Sequence, residues 1–260
     1  MSLDSVEAIK DGLRCLTTRN ATILISLYFT IGLLRESMTQ TLISKLPTVF
    51  SSANINNVVL VLPVPAYIAG LLLVPLIAAS AALGVTALRI FASGETEKIK
   101  EKFYREHIGK ASLNLIGGGI ANGLLIILAF LIPVLPGAAI AATVNTVIGG
   151  ILAVIGLLVG FLLFLVVMVK LYLWTAIIAV ENVNFIEAFK SSWNMTKGES
   201  LRIGLVLLFL VIFSIIVNGV FSIPQLMGYS VGGRIIAVFG TAVTSTATVA
   251  IVANVYNQLK

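Results

Sequence analysis

Long apolar segments alternate along the chain with short polar ones, and three of the polar segments share one pattern. Each copy has a glutamate at position i, an apolar residue at i+2, a lysine at i+3 and an apolar residue at i+6. The copies are Glu7, Ile9, Lys10 and Leu13; Glu97, Ile99, Lys100 and Phe103; and Glu187, Phe189, Lys190 and Trp193. They lie 90 residues apart without a gap, which predicts a threefold internal repeat with units 1–90, 91–180 and 181–260. A chance match between aligned loops is the alternative.

Each unit predicts an amphipathic segment followed by two spans. Apolar runs open at Ala21, Ala111 and Leu201, and a proline is expected to close the far end of each, at Pro47, Pro136 and Pro224. Residues 3–16 carry apolar side chains three or four positions apart, which favours a helix lying in the membrane plane; a soluble cap helix packed on loops is the alternative. We therefore expect an all-α, single-domain membrane protein over residues 1–260, with six transmembrane helices in three hairpins, each hairpin preceded by a cytosolic amphipathic helix.

The predicted spans cover about 21–42, 65–90, 111–134, 151–176, 201–223 and 235–255, because a helix needs about 20 apolar residues to cross the hydrocarbon. A short outer turn is predicted at Pro136 and Gly137. The apolar stretch from 138 to 180 is longer than one crossing needs, so residues 138 to about 149 are expected to be re-entrant or interfacial. The pairs Gly119-x-x-x-Gly123 and Gly156-x-x-x-Gly160 predict close helix packing.

Composition and charge set the class of protein. The chain has 260 residues, of which 58% are hydrophobic and 11% charged, against about 25% charged in soluble proteins. Most of the basic residues lie in or beside segments that would share one side: Lys10, Arg14, Arg19, Arg89, Lys98, Lys100, Lys102, Arg105, Lys110, Lys190, Lys197, Arg202 and Lys260. This asymmetry predicts a multi-pass protein of the cell membrane with both termini in the cytoplasm. Attraction to anionic lipid accounts for the net charge of +6 without nucleic acid.

Four polar residues fall inside predicted spans: Arg35, Glu36, Lys170 and Asn218. Arg35 and Glu36 are adjacent and therefore point about 100° apart on a helix, so each needs another partner. Lys170 precedes Tyr172 and Trp174, so we expect its ammonium group to reach the cytosolic interface. If its helix continued unbroken to Val180, Lys170 would instead be an intramembrane charge that needs a partner.

Candidate chemistry is sparse. The predicted spans contain no aspartate or histidine, and the lone His107 has no second ligand at metal-binding spacing. We expect no enzymatic activity, catalytic residue, cofactor or metal. The single cysteine, Cys15, is expected to be a reduced thiol, either a small interfacial residue or an acylation site. The leading hypothesis is a membrane domain that binds lipid, a membrane protein partner or a second copy of itself. A small-solute or ion transporter or channel that uses the four polar residues is the alternative.

A resemblance supports the class. Residues 180–198, VENVNFIEAFKSSWNMTKG, resemble a segment of uncharacterised prokaryotic membrane proteins related to the membrane domain attached to some glycerophosphoryl diester phosphodiesterases. Residues 11–20, DGLRCLTTRN, resemble the opening of archaeal members. The resemblance implies a membrane domain without the phosphodiesterase barrel, and it transfers no catalytic residues.

Overall fold

The computed structural model describes residues 3–45 and 60–260, and this part of the chain contains helices and no strand. The helices are α1 (Ser5–Cys15), α2 (Arg19–Lys45), α3 (Ala66–Ala92), α4 (Lys102–Arg105), α5 (Ile108–Thr143), α6 (Thr146–Lys170), α7 (Trp174–Glu181), α8 (Phe185–Met195), α9 (Ser200–Leu226) and α10 (Ser230–Leu259). Six helical segments are long and apolar enough to cross a membrane, the fourth of which joins α6 and α7. The predicted all-α fold with six such segments is confirmed. Pro47 lies outside the described residues.

Helices α1, α4, α7 and α8 gather at one end of the bundle, which we call the α1–α8 end. Long-range hydrogen bonds hold this end together: the Asn20 side chain donates to Glu95 O (2.9 Å) and the Asn257 side chain to Ala92 O (2.9 Å). All 17 basic residues of the chain lie at this end except Arg35, Lys45 and Arg234. The asymmetry behind the positive-inside argument therefore has a structural counterpart, while the cytoplasmic orientation stays a prediction.

The amphipathic helices differ between the three predicted repeat units because their cap residues differ. Asp4 accepts hydrogen bonds from Val6 N and Glu7 N, both at 3.0 Å, and starts α1. Asn184 accepts from Glu187 N at 2.9 Å and starts α8. At the equivalent position the second unit has Gly94, whose φ is +71°. A glycine has no side chain with which to accept the first backbone N–H groups, and this φ lies outside the extended region that an N-cap adopts.

The consequence is a missing helix in the second unit. Helix α4 is a single turn, Lys102–Arg105, and the residues Glu97, Ile99 and Lys100 lie in no helix. Lys100 instead forms an ion pair with Glu95. The prediction of a helix before each pair of spans is confirmed for α1 and α8 and wrong for the second unit. The threefold repeat itself stays a prediction.

Helix α1 packs on helices α10 and α9. Gly12 meets α10 so closely that a Cβ there would lie 2.4 Å from Ile251 Cγ1. Leu3 and Ala8 are buried, whereas Val6, which belongs to the predicted apolar stripe, is 60% exposed. The helix therefore buries its small-residue side against α10 and leaves part of its apolar stripe on the surface.

Pro136 does not end its span, whereas Pro224 lies within two residues of the end of α9. Pro136 lies inside α5, which continues to Thr143, and Pro224 lies inside α9, which ends at Leu226. The predicted outer turn at Pro136 and Gly137 is therefore wrong, and residues 138–149 form no separate re-entrant segment, while the interfacial alternative for them stays a prediction. These residues complete α5, turn at Val144 and open α6. Asn145 fixes the turn, since its side chain caps α6 by accepting from Val147 N and Ile148 N.

Helices α5 and α6 form a tightly packed antiparallel pair through a seam of glycines. A Cβ on Gly149 would lie 2.1 Å from Ala141 N, and one on Gly156 would lie 2.2 Å from Pro133 O. Close packing at Gly156-x-x-x-Gly160 is confirmed. It is wrong for Gly119 and Gly123, where a Cβ would meet no atom within 4 Å; the neighbouring Gly118 is the tight position, against Trp174.

Candidate functional site: a lateral cleft between α6 and α9

A cavity of about 490 Å³ lies between the α5–α6 pair and the α9–α10 pair. The pair α5–α6 packs chiefly within itself, so a gap remains beside α9. Most of the cavity wall is apolar, with Met168, Leu171 and Leu210 among its side chains. Trp174, which starts α7, also lines it.

A depression of about 390 Å³ continues this cavity toward the α1–α8 end. The two spaces share Val167 and Leu171 of the wall. The depression reaches α8 at Phe189, Lys190, Trp193 and Asn194. We call the two spaces together the lateral cleft. It joins an apolar interior to a cationic and aromatic rim.

Two polar atoms in the cavity wall have no hydrogen-bond partner among the described residues. They are Asn122 Oδ1 on α5 and the Tyr172 hydroxyl between α6 and α7, and both atoms are buried. A buried polar atom without a partner costs about 1–3 kcal/mol, and such atoms in native proteins usually indicate an absent water, ion or ligand. Sequence analysis missed both residues. The available signal for Asn122 was an asparagine within an apolar span that also contains Asn114.

Lys170 is the last residue of α6 and points into the junction with α9. Its Nζ donates to Ser200 Oγ (2.9 Å) and to Thr196 O (3.4 Å) and lies 5.8 Å from the centre of the Trp193 ring. A cation at the last turn of a helix also complements the partial negative charge of the helix terminus.

The helical geometry is interrupted between α6 and α7, and Ser192 of α8 stabilises the intervening turn. Its hydroxyl accepts from Leu173 N (3.2 Å) and donates to Lys170 O (2.8 Å). An unbroken helix through Lys170 to Val180 is therefore wrong. The position of Lys170 at a helix end agrees with the interfacial interpretation.

The motif residues of the three repeat units do not form one site. The glutamates and lysines of all three copies are exposed, whereas Ile9, Leu13, Ile99 and Phe189 are half-buried and Phe103 is buried. No hydrogen bond or ion pair joins two copies among residues 3–45 and 60–260. Only the third copy reaches the cleft, through Phe189, Lys190 and Trp193.

The other candidate polar residues lie elsewhere. Glu36 accepts from Arg234 Nε at 3.0 Å and also from its Nη2, so the partner expected for Glu36 is an arginine near the start of α10. Asn218 accepts from Thr241 Oγ1 at 3.2 Å. Arg35 is exposed and makes no hydrogen bond with its side chain in the described part of the chain.

These four candidates do not share one location. Lys170 lies beside the start of α9, whereas Arg234 follows its end. Helix α9 has 27 residues, so the two ends are roughly 40 Å apart at 1.5 Å per residue.

Cys15 is half-buried where α1 meets α10. Burial raises the pKa of the Cys15 thiol, and the charge of Asp11 acts in the same direction, against a hydrogen bond from the Asn254 side chain that lowers it. Because only the thiolate reacts rapidly with electrophiles, a raised pKa disfavours the acylation alternative.

We expect iodoacetamide to alkylate Cys15 more slowly in the folded protein at pH 8 than in protein denatured in SDS. The reason is the smaller thiolate fraction that a raised pKa leaves at this pH. The measurement is the alkylated fraction by mass spectrometry as a function of time and pH. A folded-state midpoint at or below the midpoint of the denatured protein would contradict the assignment.

The helices and the cleft together define a polytopic helical membrane protein with an apolar cleft between α6 and α9. The chain belongs to the family described as "Domain of unknown function (DUF7847)", whose model matches residues 3–259. No curated protein and no solved structure matches it. The family assignment does not connect the chain with the phosphodiesterase-associated membrane domain, so that relation stays a prediction.

Proposed function

We propose that this protein is a non-enzymatic membrane domain that binds a membrane lipid in the lateral cleft, with the lipid head group at the α8 rim. One observation carries the proposal: a cavity with apolar walls adjoins a cationic, aromatic rim. An amphiphile has the same order of chemical groups along its length.

The cavity suits the apolar part of a lipid. Its volume of about 490 Å³ falls within the range of about 300–1,000 Å³ that small-molecule sites occupy. The wall offers Val167, Leu171 and Leu210, which cannot compete with a polar ligand but match a hydrocarbon chain.

The rim suits an anionic head group. Lys190 is exposed and lines the depression together with Asn194 and Trp193, which is 43% exposed. Lysine beside tryptophan is the usual chemistry of a membrane interface. A basic residue at the surface contributes about 1 kcal/mol of attraction to anionic lipid. Lys170 places a second positive charge close to the same tryptophan.

The transporter alternative receives less support. It requires Arg35, Glu36, Lys170 and Asn218 along one route, whereas Lys170 lines a different pocket from Arg35 and Glu36. Threonine hydroxyls of α10 other than that of Thr241 donate to carbonyls of their own helix, as Thr246 does to Ala242 O (2.9 Å) and Thr248 to Thr244 O (2.8 Å). Hydroxyls satisfied in this way do not need a solute.

The two tryptophans of the chain provide the test, because both Trp174 and Trp193 line the cleft. The protein is reconstituted in vesicles that contain an anionic and a zwitterionic phospholipid in equal amounts, with bromine on the acyl chains of only one of them. Bromine quenches tryptophan fluorescence on contact. We expect stronger quenching when the anionic lipid carries the bromine. Equal quenching in the two vesicle types would contradict a preference for an anionic head group.

Lys190→Gln tests the rim. We expect the preference for the anionic lipid to fall about five-fold, which corresponds to the loss of about 1 kcal/mol per basic residue. Lys197→Gln is the matched control, because Lys197 is also exposed near the end of α8 but does not line the cleft. An equal loss in both variants would indicate surface attraction to the membrane and no bound lipid.

A further inference from the structure

A second, more polar pocket lies between α2, α3 and α10, and no residue lines both it and the cavity of the lateral cleft. Its volume is about 160 Å³. Residues from three helices that could cross the membrane form its wall. Its polar side chains are Tyr28, Arg35, Glu36, Ser80, Thr241 and Ser245.

The charges around this pocket leave one positive charge in excess. Glu36 is paired with Arg234, and the Gln40 side chain donates a further hydrogen bond to the same carboxylate oxygen at 2.7 Å. Arg35 has no ion-pair partner among the described residues. A guanidinium group within a predicted span is costly and usually marks a partner or a solute.

The hydroxyl groups add hydrogen-bond donors. Ser80 and Thr241 donate to carbonyls of their own helices, at Leu76 O and Ala237 O. The Tyr28 hydroxyl and the Ser245 hydroxyl have no hydrogen-bond partner within residues 3–45 and 60–260. Two uncommitted O–H donors and one guanidinium therefore line the same pocket, whereas its carboxylate is already occupied by Arg234.

We propose that this polar pocket binds a small monovalent anion, with Arg35 supplying the charge and the hydroxyls of Tyr28 and Ser245 donating hydrogen bonds to it. The volume corresponds to about five water molecules at about 30 Å³ each, which admits a halide or a small carboxylate. A cation fits less well, because the carboxylate of Glu36 already accepts from Arg234 and Gln40. The pocket and the lipid site are independent, so either proposal can fail without the other.

The test is the thermal unfolding midpoint of the purified full-length protein in a neutral detergent, in which no anionic lipid competes for Arg35. Sodium gluconate is replaced by sodium chloride or by sodium acetate at constant ionic strength. We expect the midpoint to rise by about 3 °C once the anion exceeds its Kd about ten-fold, since a ligand of the folded state stabilises it by mass action. The chloride and acetate series distinguish a halide site from a carboxylate site.

Arg35→Gln and Tyr28→Phe are expected to remove most of the anion-specific rise. Arg19→Gln is the matched control: it removes the same charge from the other end of α2 and should leave the rise intact. Tyr28→Phe keeps the test decisive should Arg35→Gln fail to fold. The proposal is overturned by equal midpoints in gluconate, chloride and acetate, or by a rise that persists in both pocket variants.

Discussion

Replacing Arg89 with alanine is expected to abolish the stable fold at the α1–α8 end. Arg89 is only 8% exposed, and its guanidinium group joins three segments. Nε donates to Ala179 O (2.6 Å), Nη1 to Glu106 O (2.7 Å) and Phe103 O (3.3 Å), and Nη2 to Asn182 Oδ1 (2.6 Å). Each acceptor left buried and unpaired costs about 1–3 kcal/mol. Ala179 O and Phe103 O are buried, and Glu106 O and Asn182 Oδ1 are partly buried, so the combined loss is a large part of a total stability of about 5–15 kcal/mol.

The measurement for Arg89→Ala is the yield of monodisperse protein in size-exclusion chromatography, together with the thermal midpoint of any folded fraction. Arg89→Lys should rescue little, because one ammonium group cannot reproduce the planar donor geometry of a guanidinium group. The matched control is Arg105→Ala, which removes an exposed arginine at the end of α4 that is paired with Glu101. Exposed ion pairs contribute about 0–1 kcal/mol. A midpoint for Arg89→Ala within 2 °C of the Arg105→Ala midpoint, about the shift that 1 kcal/mol produces, would refute the structural role.

The second large effect is expected from a single methyl group in the glycine seam of the α5–α6 pair. Gly149→Ala would place a Cβ 2.1 Å from Ala141 N and 2.3 Å from Ala141 Cα. Both atoms belong to the backbone, so no side-chain rotation can relieve the clash, and the helices must separate. Overpacking of this kind costs about 1–3 kcal/mol or more. We expect a fall in the thermal midpoint of several degrees.

The adjacent glycine provides the matched control for the seam. A Cβ on Gly150 meets no atom within 4 Å, and alanine is a better helix former than glycine by about 1 kcal/mol. Gly150→Ala should therefore leave the midpoint unchanged or raise it. If the two alanine variants unfolded at the same temperature, the close approach of α5 and α6 would be ruled out.

Periodicity and charge predicted the coarse fold because they depend on local sequence. The features predicted in this way are the six apolar segments, the α1 and α8 helices and the close packing at Gly156 and Gly160. The helix missing from the second unit was also within reach of the sequence, since Gly94 stands where Asp4 and Asn184 provide caps. Pro136 misled because a proline is tolerated inside a membrane helix, and α5 continues past it to Thr143.

The lateral cleft and the polar pocket were harder to predict from the sequence, because residues far apart in the chain come together to form them. Glu36 and Arg234 are 198 residues apart, and only the packing of α2 beside α10 shows that they pair. Asn122 and Tyr172 come together only in the folded chain, where both residues line one cavity, and the burial of their unpaired polar atoms cannot be deduced from an apolar pattern. The sequence identified Lys170 as a candidate polar residue. Its partner Ser200 could not be predicted, because the pairing depends on where α6 ends and α9 begins.

The continuation of α5 to Thr143 makes the protein sensitive to bilayer thickness. Helix α5 has 36 residues, about 54 Å at 1.5 Å per residue, and most of that length is apolar, whereas a hydrocarbon core is about 30 Å thick. The α5–α6 pair must therefore tilt, bend or thicken the bilayer around it, at a fraction of a kcal/mol for each Å of mismatch. Because this pair forms one wall of the lateral cleft and packs only sparsely on α9, a change in membrane thickness would alter the width of the cleft.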